Sequence, residues 1–295
     1  MDLSDFPWPP LPGSAEVPYW NGRRFVVGSV EHSFLCYGVT QSAWSDQLTE
    51  MHEAEARSTH PIDIASRSLA LQSMQQLKGS PVILDIGCSS GFLLEDFRLH
   101  IPGVQLIGSD YLVNVVEKAS QRIPNVPFIQ FDLRMCPLPE SCVDAISALN
   151  VLEHIDDDFT ALKEIRRILK PAGIAHVEVP ADPSSFDLYD EVLMHFRRYR
   201  LSELAAKAQE AGFAILKATH LGFFIYPAFK FVKRRNQKTG KDLSHEDKTL
   251  LVAQQIRKTA RARALSVAFK LEQLLGGVIS YPIGIRAVLR LQKAR

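Results

Sequence analysis

The sequence is poor in cysteine, and its cysteines form no recognisable disulfide or metal-binding motif. Only four occur among 295 residues, and no two have the C-x-x-C spacing. We therefore expect reduced thiols and a cytoplasmic protein. The first residues, MDLSDFPWPPLPG, contain two acids, several prolines and no Lys or Arg, so we expect no signal peptide. The longest apolar run of the last third, residues 221–229, is far shorter than the ~20 residues of a membrane-spanning helix.

Charge is balanced over the whole chain but not along it. The formal net charge is +1, yet residues 220–295 contain 16 of the 34 Lys and Arg and only 4 of the 33 Asp and Glu. A basic part joined to an acidic body indicates a partner, which is an anionic membrane surface, a nucleic acid or the acidic body itself. The acidic body contains no recognisable RNA-binding module, which disfavours nucleic acid.

Between residues 64 and 221, short apolar runs alternate with amphipathic segments. The run VILDI at 82–86 is bounded by turn residues and predicts a strand buried on both faces of a parallel sheet. The same pattern predicts further strands at 105–108, 127–131, 145–148, 174–179, 213–219 and 285–291, and helices at 64–77, 92–100, 112–122, 158–169 and 202–211. This alternation predicts a doubly wound α/β fold with a mostly parallel, seven-stranded, Rossmann-like sheet.

The pattern also divides the chain into four parts. Residues 1–63 form an N-terminal extension with a helix at 42–57, which we expect to act as a lid. Residues 64–221 form the core, and residues 281–295 supply its last strand. Residues 222–280 are a basic helical insertion with a long helix at 246–275, for which we expect contact with an anionic membrane, a role in a homodimer or a cap over the substrate.

Small and acidic residues follow the first predicted strand. Gly87 and Gly91 allow a sharp turn and close approach of a ligand. A loop for a nicotinamide dinucleotide would have glycines at positions 87, 89 and 92, but Ser89 and Phe92 occupy two of them. A carboxylate at Asp85 would repel a pyrophosphate, and it suits a cationic ligand instead.

Acidic residues also follow the second and third predicted strands. Asp110 is 25 positions after Asp85, where a carboxylate can accept hydrogen bonds from both hydroxyls of a ribose. Asp132 could accept a hydrogen bond from an adenine amino group. Either residue alone is more typical of a helix cap, but three acids at three consecutive strand ends indicate a nucleoside site.

These motifs together resemble those of class I S-adenosylmethionine-dependent methyltransferases. The matching segments are VILDIGCSSG at 82–91, LIGSDYL at 106–112, the stretch 128–157 and LKEIRRILKPAGIAHVEVP at 162–180. The resemblance implies S-adenosylmethionine as cofactor and a cofactor site made of Asp85, Gly87, Cys88, Ser89, Gly91, Asp110, Tyr111, Asp132, Leu133 and Asn150. Ser89 replaces the middle glycine of the commoner GxGxG loop, and because serine is small we expect binding to survive.

A second segment, LYDEVLMHFRRYRLSEL at 188–204, resembles the D-x-x-x-x-H-x-x-R-Y segment of a subgroup. The subgroup includes methyltransferases like those of ubiquinone biosynthesis and many from lipid and polysaccharide gene neighbourhoods. The resemblance implies an acceptor site with His195 as a candidate catalytic base, Arg197 and Arg198 as anion-binding groups and Tyr199 as a stacking or hydrogen-bonding group. Alternatively, Arg198 and Tyr199 pin this segment to the domain through acidic residues such as Asp187, Asp190 and Glu191.

Two further histidines are candidates for the acceptor site. His154 follows the fourth predicted strand together with Glu153, and both could instead be polar groups at the start of a helix. His52 belongs to the predicted lid, where a surface amphipathic helix is the alternative. The sequence predicts no metal site.

The resemblance implies methyl transfer from S-adenosylmethionine to a small-molecule, lipid-linked or saccharide-linked acceptor, at oxygen. Two alternatives stay open. One is a non-catalytic protein that binds the cofactor or a partner, and the other is a nicotinamide-dependent oxidoreductase, which the loop sequence disfavours.

Overall fold

The computed structural model describes residues 2–38, 60–240, 243–260, 263–276 and 279–294. The predicted lid helix at 42–57, with His52, lies outside these residues. The division of the chain into four parts therefore stays a prediction.

The described residues contain eleven strands and nine α-helices. The strands are β1 (Tyr19–Trp20), β2 (Phe25–Val27), β3 (Val30–His32), β4 (Leu35–Cys36), β5 (Val82–Ile86), β6 (Gln105–Asp110), β7 (Phe128–Gln130), β8 (Val143–Leu149), β9 (Leu169–Pro180), β10 (Phe213–Leu221) and β11 (Arg286–Lys293). The helices are α1 (Pro61–Met74), α2 (Phe92–His100), α3 (Val113–Arg122), α4 (Asp158–Ile168), α5 (Leu188–Val192), α6 (Leu201–Glu210), α7 (Tyr226–Thr239), α8 (His245–Ala260) and α9 (Arg263–Gly276).

The central sheet has the order β10-β11-β9-β8-β5-β6-β7-β4. Strands β4 to β9 pair in parallel, and β11 lies antiparallel between β9 and β10. All seven predicted strands are present, and the doubly wound, mostly parallel fold is confirmed. The two-residue edge strand β4 is an addition that the sequence pattern did not predict.

Helices on both faces bury the middle of the sheet. All five residues of β5 are buried. Leu84 and Ile86 belong to one apolar cluster, and Ile83 belongs to a second cluster. Each such side chain contributes ~1.5–3 kcal/mol to folding by its burial, so β5 is fixed from both sides and its carboxyl end is a rigid platform for the loop that follows.

The N-terminal residues form a small antiparallel sheet, β1-β2-β3. Trp8 and Trp20 pack edge-on against Phe25, and the Trp8 indole N–H donates to the Leu3 carbonyl over 3.1 Å. These aromatic residues are continuous with the core cluster that includes Leu133. The small sheet is thus attached to the core beneath the central sheet by apolar packing.

Helices α7, α8 and α9 form the insertion between β10 and β11, as predicted. The predicted long helix at 246–275 corresponds to α8 and α9, with residues 261 and 262 outside the described chain. Part of the positive charge pairs with the acidic body: Lys233 lies 2.6 Å from Asp187, and Lys248 lies 2.7 Å from Glu191. Among the helices that the structure describes, none combines the length and the hydropathy needed to cross a membrane.

Candidate functional site

The loop between β5 and α2 turns through three left-handed residues. Gly87, Ser89 and Gly91 have φ angles of 69°, 47° and 73°. A Cβ atom on Gly87 would lie 2.6 Å from Cγ2 of Val151, so only glycine fits there. Ser89 adopts the left-handed conformation without a glycine, which explains how the loop keeps its shape despite the departure from GxGxG.

Asp110, at the end of β6, lies against this loop. Its Oδ2 accepts a hydrogen bond from the Ser89 N–H over 3.2 Å, and its Oδ1 accepts one from the Leu112 N–H over 3.2 Å. The structure therefore brings together two features that the sequence predicted separately. The carboxylate is held at the rim of the loop, where two vicinal hydroxyls could reach it.

Asp85 lies near the carboxyl end of β5, the strand that precedes this loop. Its side chain is only 3% exposed, and Oδ1 accepts a hydrogen bond from the Ser147 hydroxyl over 2.6 Å. Burial raises the pKa of Asp85 to about 7, against the lowering effect of Ser147 and with a further increase from the charge of Asp110. A cation nearby would favour its ionised form.

Asp132 and Leu133 lie at the end of β7 and begin a short 3₁₀ helix. Asp132 caps this helix by accepting from the Arg134 N–H over 2.9 Å. Burial acts to raise the pKa of Asp132, but the hydrogen bonds and charge of Arg134 outweigh it and lower the pKa. Leu133 is buried in the apolar core cluster, so it packs beneath the site and has little surface for contact with a ligand.

Gln130 is a residue that the sequence analysis missed. Its side-chain amide donates to the Tyr111 carbonyl over 2.9 Å, and its Oε1 accepts from the Gly38 N–H over 3.1 Å. Gln130 thus ties the segment after β6 to the segment after β4. No local sequence pattern distinguishes it, because these contacts join distant parts of the chain.

Asn150 and Cys88 complete the set of predicted cofactor residues. Asn150 follows β8, has a left-handed φ of 54° and donates its N–H to the Glu178 carbonyl over 2.8 Å. Cys88 is buried, and its N–H donates to the Ser109 carbonyl over 2.9 Å. The predicted residues therefore line the carboxyl ends of β5, β6, β7 and β8, which are adjacent in the sheet.

A second group of polar side chains lies beyond Asn150. Glu153, His154 and His195 each place a ligating atom within 4.8 Å of the others, and the two imidazole rings meet edge to face with centroids 4.7 Å apart. Glu153 is fully buried, and this burial raises its pKa to about 8. The structure thus joins residues that are more than 40 positions apart.

Asp190 orients His195. The His195 Nδ1 lies 2.9 Å from Oδ1 of Asp190, and the Arg198 Nε lies 2.8 Å from the same oxygen. Burial lowers the pKa of His195, although Asp190 acts to raise it. Lys233, from the insertion, lies 3.5 Å from Asp190, so three basic side chains converge on one buried carboxylate.

The predicted acceptor-site residues Arg197, Arg198 and Tyr199 mainly contact other residues of the protein. Arg198 and Tyr199 are buried, and the Tyr199 hydroxyl donates to Asp158 over 2.8 Å. Arg197 donates to the Ile155 carbonyl over 3.1 Å and is about one third exposed. These contacts favour the interpretation that Arg198 and Tyr199 pin the segment. Arg197 is more exposed, but its guanidinium also donates to the Asp156 carbonyl over 2.8 Å and lies 3.1 Å from Asp158.

Comparisons with known proteins bear on the class of protein. Residues 84–177 match the family profile described as "Methyltransferase domain". The chain is 26% identical over 147 residues to a demethylmenaquinone methyltransferase of Chlorobaculum tepidum, covering 49% of this chain and 60% of that one. It is 30% identical over 165 residues to an uncharacterised 37.1 kDa protein of a Streptomyces fradiae transposon, covering 50% and 48%. The chain therefore spans only about half the length of the curated relatives it matches.

Among solved structures, the chain is similar to phosphoethanolamine N-methyltransferase 2 of Haemonchus contortus in complex with S-adenosyl-L-methionine. The TM-score is 0.56 at 16% identity, and the match covers 88% of this chain and 61% of that one. At this identity the likeness shows the fold alone.

Sequence, fold and site define one class of protein. Residues 84–177 carry a methyltransferase domain, and together with the fold this confirms the resemblance to class I S-adenosylmethionine-dependent methyltransferases. S-adenosylmethionine is the cofactor of this domain. The residues present fit it, because carboxylates at Asp85 and Asp110 suit a cationic methionine part and ribose hydroxyls, and a carboxylate at Asp85 would repel a pyrophosphate.

Proposed function

We propose that this protein transfers a methyl group from S-adenosylmethionine to an oxygen of a small-molecule, lipid-linked or saccharide-linked acceptor. One observation carries the proposal. The predicted cofactor residues line adjacent strand ends, and Glu153 and His154, which follow Asn150 closely in the chain, form a polar cluster with His195. An acceptor bound at this cluster would be next to the methionine end of the cofactor.

The cofactor supplies an electrophilic methyl group on a sulfonium sulfur. The protein must hold the acceptor oxygen in line with that methyl group, at ~3–3.5 Å, and accept the hydroxyl proton. Asp190 is an acceptor for the Nδ1 proton of His195, so the lone pair of this imidazole lies on Nε2. His195 is therefore the candidate base, and Arg197 is the candidate group for an acceptor carboxylate or phosphate.

Two sets of variants test the proposal. Asp110→Ala should weaken S-adenosylmethionine binding at least tenfold, because the ribose would lose a bidentate acceptor. His195→Ala and Arg197→Ala should lower turnover and leave cofactor affinity near that of the wild type. Isothermal titration measures the affinities, and release of S-adenosylhomocysteine in the presence of candidate acceptors measures turnover.

Two results would contradict these assignments. Unchanged affinity in Asp110→Ala would refute the cofactor site. Loss of cofactor binding in His195→Ala would show a structural role for that residue. Cofactor binding without turnover on broad panels of hydroxylated acceptors would favour the non-catalytic alternative.

We further propose that the insertion contacts an anionic membrane surface, which would suit a lipid-linked acceptor. The observation that favours this is a stripe on α9 formed by Val267, Leu271 and Leu274, which are 57%, 52% and 78% exposed. The spacing places them on one face of the helix, and the exposed basic residues Arg263 and Lys270 lie on the same helix. Such a surface gains ~1 kcal/mol per Lys or Arg near an anionic leaflet.

Vesicle sedimentation tests this contact. The protein should sediment with anionic vesicles at low salt, remain in the supernatant with neutral ones, and be released as salt screens the charges. Leu274→Glu should abolish sedimentation, whereas Leu99→Glu, a similarly exposed leucine on α2, should not. A protein that ignores anionic vesicles and forms a dimer that Leu274→Glu dissociates would show that the stripe is a subunit interface.

A further inference from the structure

We propose that Glu153, His154 and His195 bind one divalent transition-metal ion, such as Zn²⁺, at the acceptor side of the site. Its catalytic role rests on the proposed function, but its existence does not.

The first argument is the state of Glu153. Its side chain is 0% exposed, and neither carboxylate oxygen has a hydrogen-bond partner among the described residues. Buried carboxyl groups are nearly always hydrogen-bonded or paired, because burial without a partner is costly. A cation bound between Glu153 and the two imidazoles would supply the missing partner.

The second argument is the orientation of His195. Its side chain is 5% exposed, and Nδ1 lies 2.9 Å from the Asp190 carboxylate. Asp190 accepts a hydrogen bond from Arg198 and is ionised, so it has no proton to donate to His195. Nδ1 of His195 must therefore carry the proton, and Nε2 carries the lone pair. A carboxylate behind a ligating imidazole is the usual outer shell of a metal site, where it fixes the tautomer and the ring orientation.

The third argument is that the backbone already holds the two halves of the cluster together. The Phe196 N–H donates to the Glu153 carbonyl over 2.8 Å, and the Tyr199 hydroxyl oxygen lies 3.0 Å from the Leu152 carbonyl oxygen. The ligating atoms lie within 4.8 Å of one another, whereas bonds of ~2.0–2.2 Å to a metal require separations of roughly 3–3.5 Å. Side-chain rotations that bring the farthest atoms roughly 1.3–1.8 Å closer would complete the site.

The donor set selects the metal. Two imidazole nitrogens and one carboxylate oxygen are typical ligands of Zn²⁺ and other first-row transition metals, whereas Mg²⁺ and Ca²⁺ prefer oxygen alone. Three protein ligands leave a coordination position open for an acceptor oxygen. In this arrangement Nε2 of His195 ligates the metal and does not act as the base. The metal would instead lower the pKa of a bound acceptor hydroxyl, whose proton would pass to water.

Metal binding can be measured on the full-length protein without cofactor or acceptor. After treatment with a chelator and its removal, the protein is titrated with Zn²⁺ against a chromophoric chelator, and separately with Co²⁺ while visible absorption is recorded. We expect one ion per chain with a Kd at or below the micromolar range, and Co²⁺ bands typical of nitrogen and oxygen ligands. Because the wild-type titration needs no variant, absence of saturable one-to-one binding of both ions overturns the proposal.

Variants then assign the ligands. His195→Ala and the nearly isosteric Glu153→Gln should each weaken Zn²⁺ binding more than tenfold. His100→Ala, which removes an exposed histidine of α2, is the matched control and should bind like the wild type. Equal affinity in the wild type, Glu153→Gln and His195→Ala, or an equal loss in His100→Ala, would place the metal elsewhere and overturn the assignment.

Cofactor affinity, measured by calorimetry on the same samples, separates this proposal from the proposed function. Retained cofactor binding shows that a variant is folded, so a loss of Zn²⁺ affinity then supports the ligand assignment. Zn²⁺ binding in a protein that methylates nothing would support the metal site and refute the proposed methyl transfer. Turnover without Zn²⁺ binding would support the methyl transfer and refute the metal site.

Discussion

The buried carboxyl group of Asp85 should make both stability and cofactor affinity depend on pH. Its pKa is about 7 in the folded protein and 3.8 in a solvated chain. Between these values Asp85 holds about one proton more in the folded protein than in the unfolded chain, so its contribution to the free energy of unfolding falls as pH rises from 4 to 7 and then levels off. The difference in pKa corresponds to at most about 4 kcal/mol.

Asp85→Asn isolates this contribution, because asparagine is similar in shape and does not titrate. The free energy of unfolding of the variant, relative to the wild type, should increase by up to about 4 kcal/mol between pH 4 and pH 8. Urea unfolding at a series of pH values measures both curves. Parallel curves over this range would refute the assignment of the raised pKa to Asp85.

Cofactor binding gives an independent readout of the same group. A cationic methionine part favours the ionised carboxylate, so binding should release a proton below pH 7, and affinity should rise with pH until about 7. Calorimetry in buffers of different ionisation enthalpy counts that proton. Ser147→Ala removes the hydrogen bond that lowers the pKa of Asp85, so the midpoint should move to higher pH. A midpoint that does not move would contradict the physical account.

Two further substitutions test the frame around the site. Gly87→Val should lower the melting temperature and abolish cofactor binding, because its side chain would collide with Val151 in a left-handed conformation; Val151→Ala in the same chain should relieve only the collision, and full recovery would contradict the strain argument. Arg286→Met should cost ~3–5 kcal/mol of stability in urea unfolding, because Glu178 is fully buried and pairs with Arg286 over 2.6 Å. Adding Glu178→Met should restore much of the loss, and a double variant as unstable as the single one would refute the pairing argument.

The sequence predicted the strands of the core well, because each is a short apolar run between turn residues. The strands β1 to β4 were missed, since each has only two or three residues and forms by pairing and aromatic packing rather than by a local pattern. The strand predicted at 174–179 begins at Leu169 in the structure. Residues 170–173, which include Pro171 and Gly173, are the irregular first part of β9.

The candidate cofactor site was predictable because its residues follow successive strands, and parallel strands end at one edge. The site proposed for the acceptor, around His195, was harder to predict from the sequence. His154 and His195 were recognisable as single candidates, but the orienting role of Asp190 and the burial of Glu153 depend on contacts between distant segments. Lys233 was counted only as part of a basic tail, and its pairing with Asp187 could not be read from the local sequence.

The insertion leaves the sheet and returns to it at neighbouring points, since Leu221 pairs with Arg286 across β10 and β11. Its length could therefore change without disturbing strand register, as in a surface loop. The positive charge of the insertion could not be removed in the same way, because Lys233 and Asn236 contact the buried carboxylate of Asp187. A version of the domain with a shorter, neutral connection would keep its sheet and lose a counter-ion to the acids behind His195. The insertion is thus an electrostatic component of the acceptor side, and the chain could dispense with its helices only by replacing the acids as well.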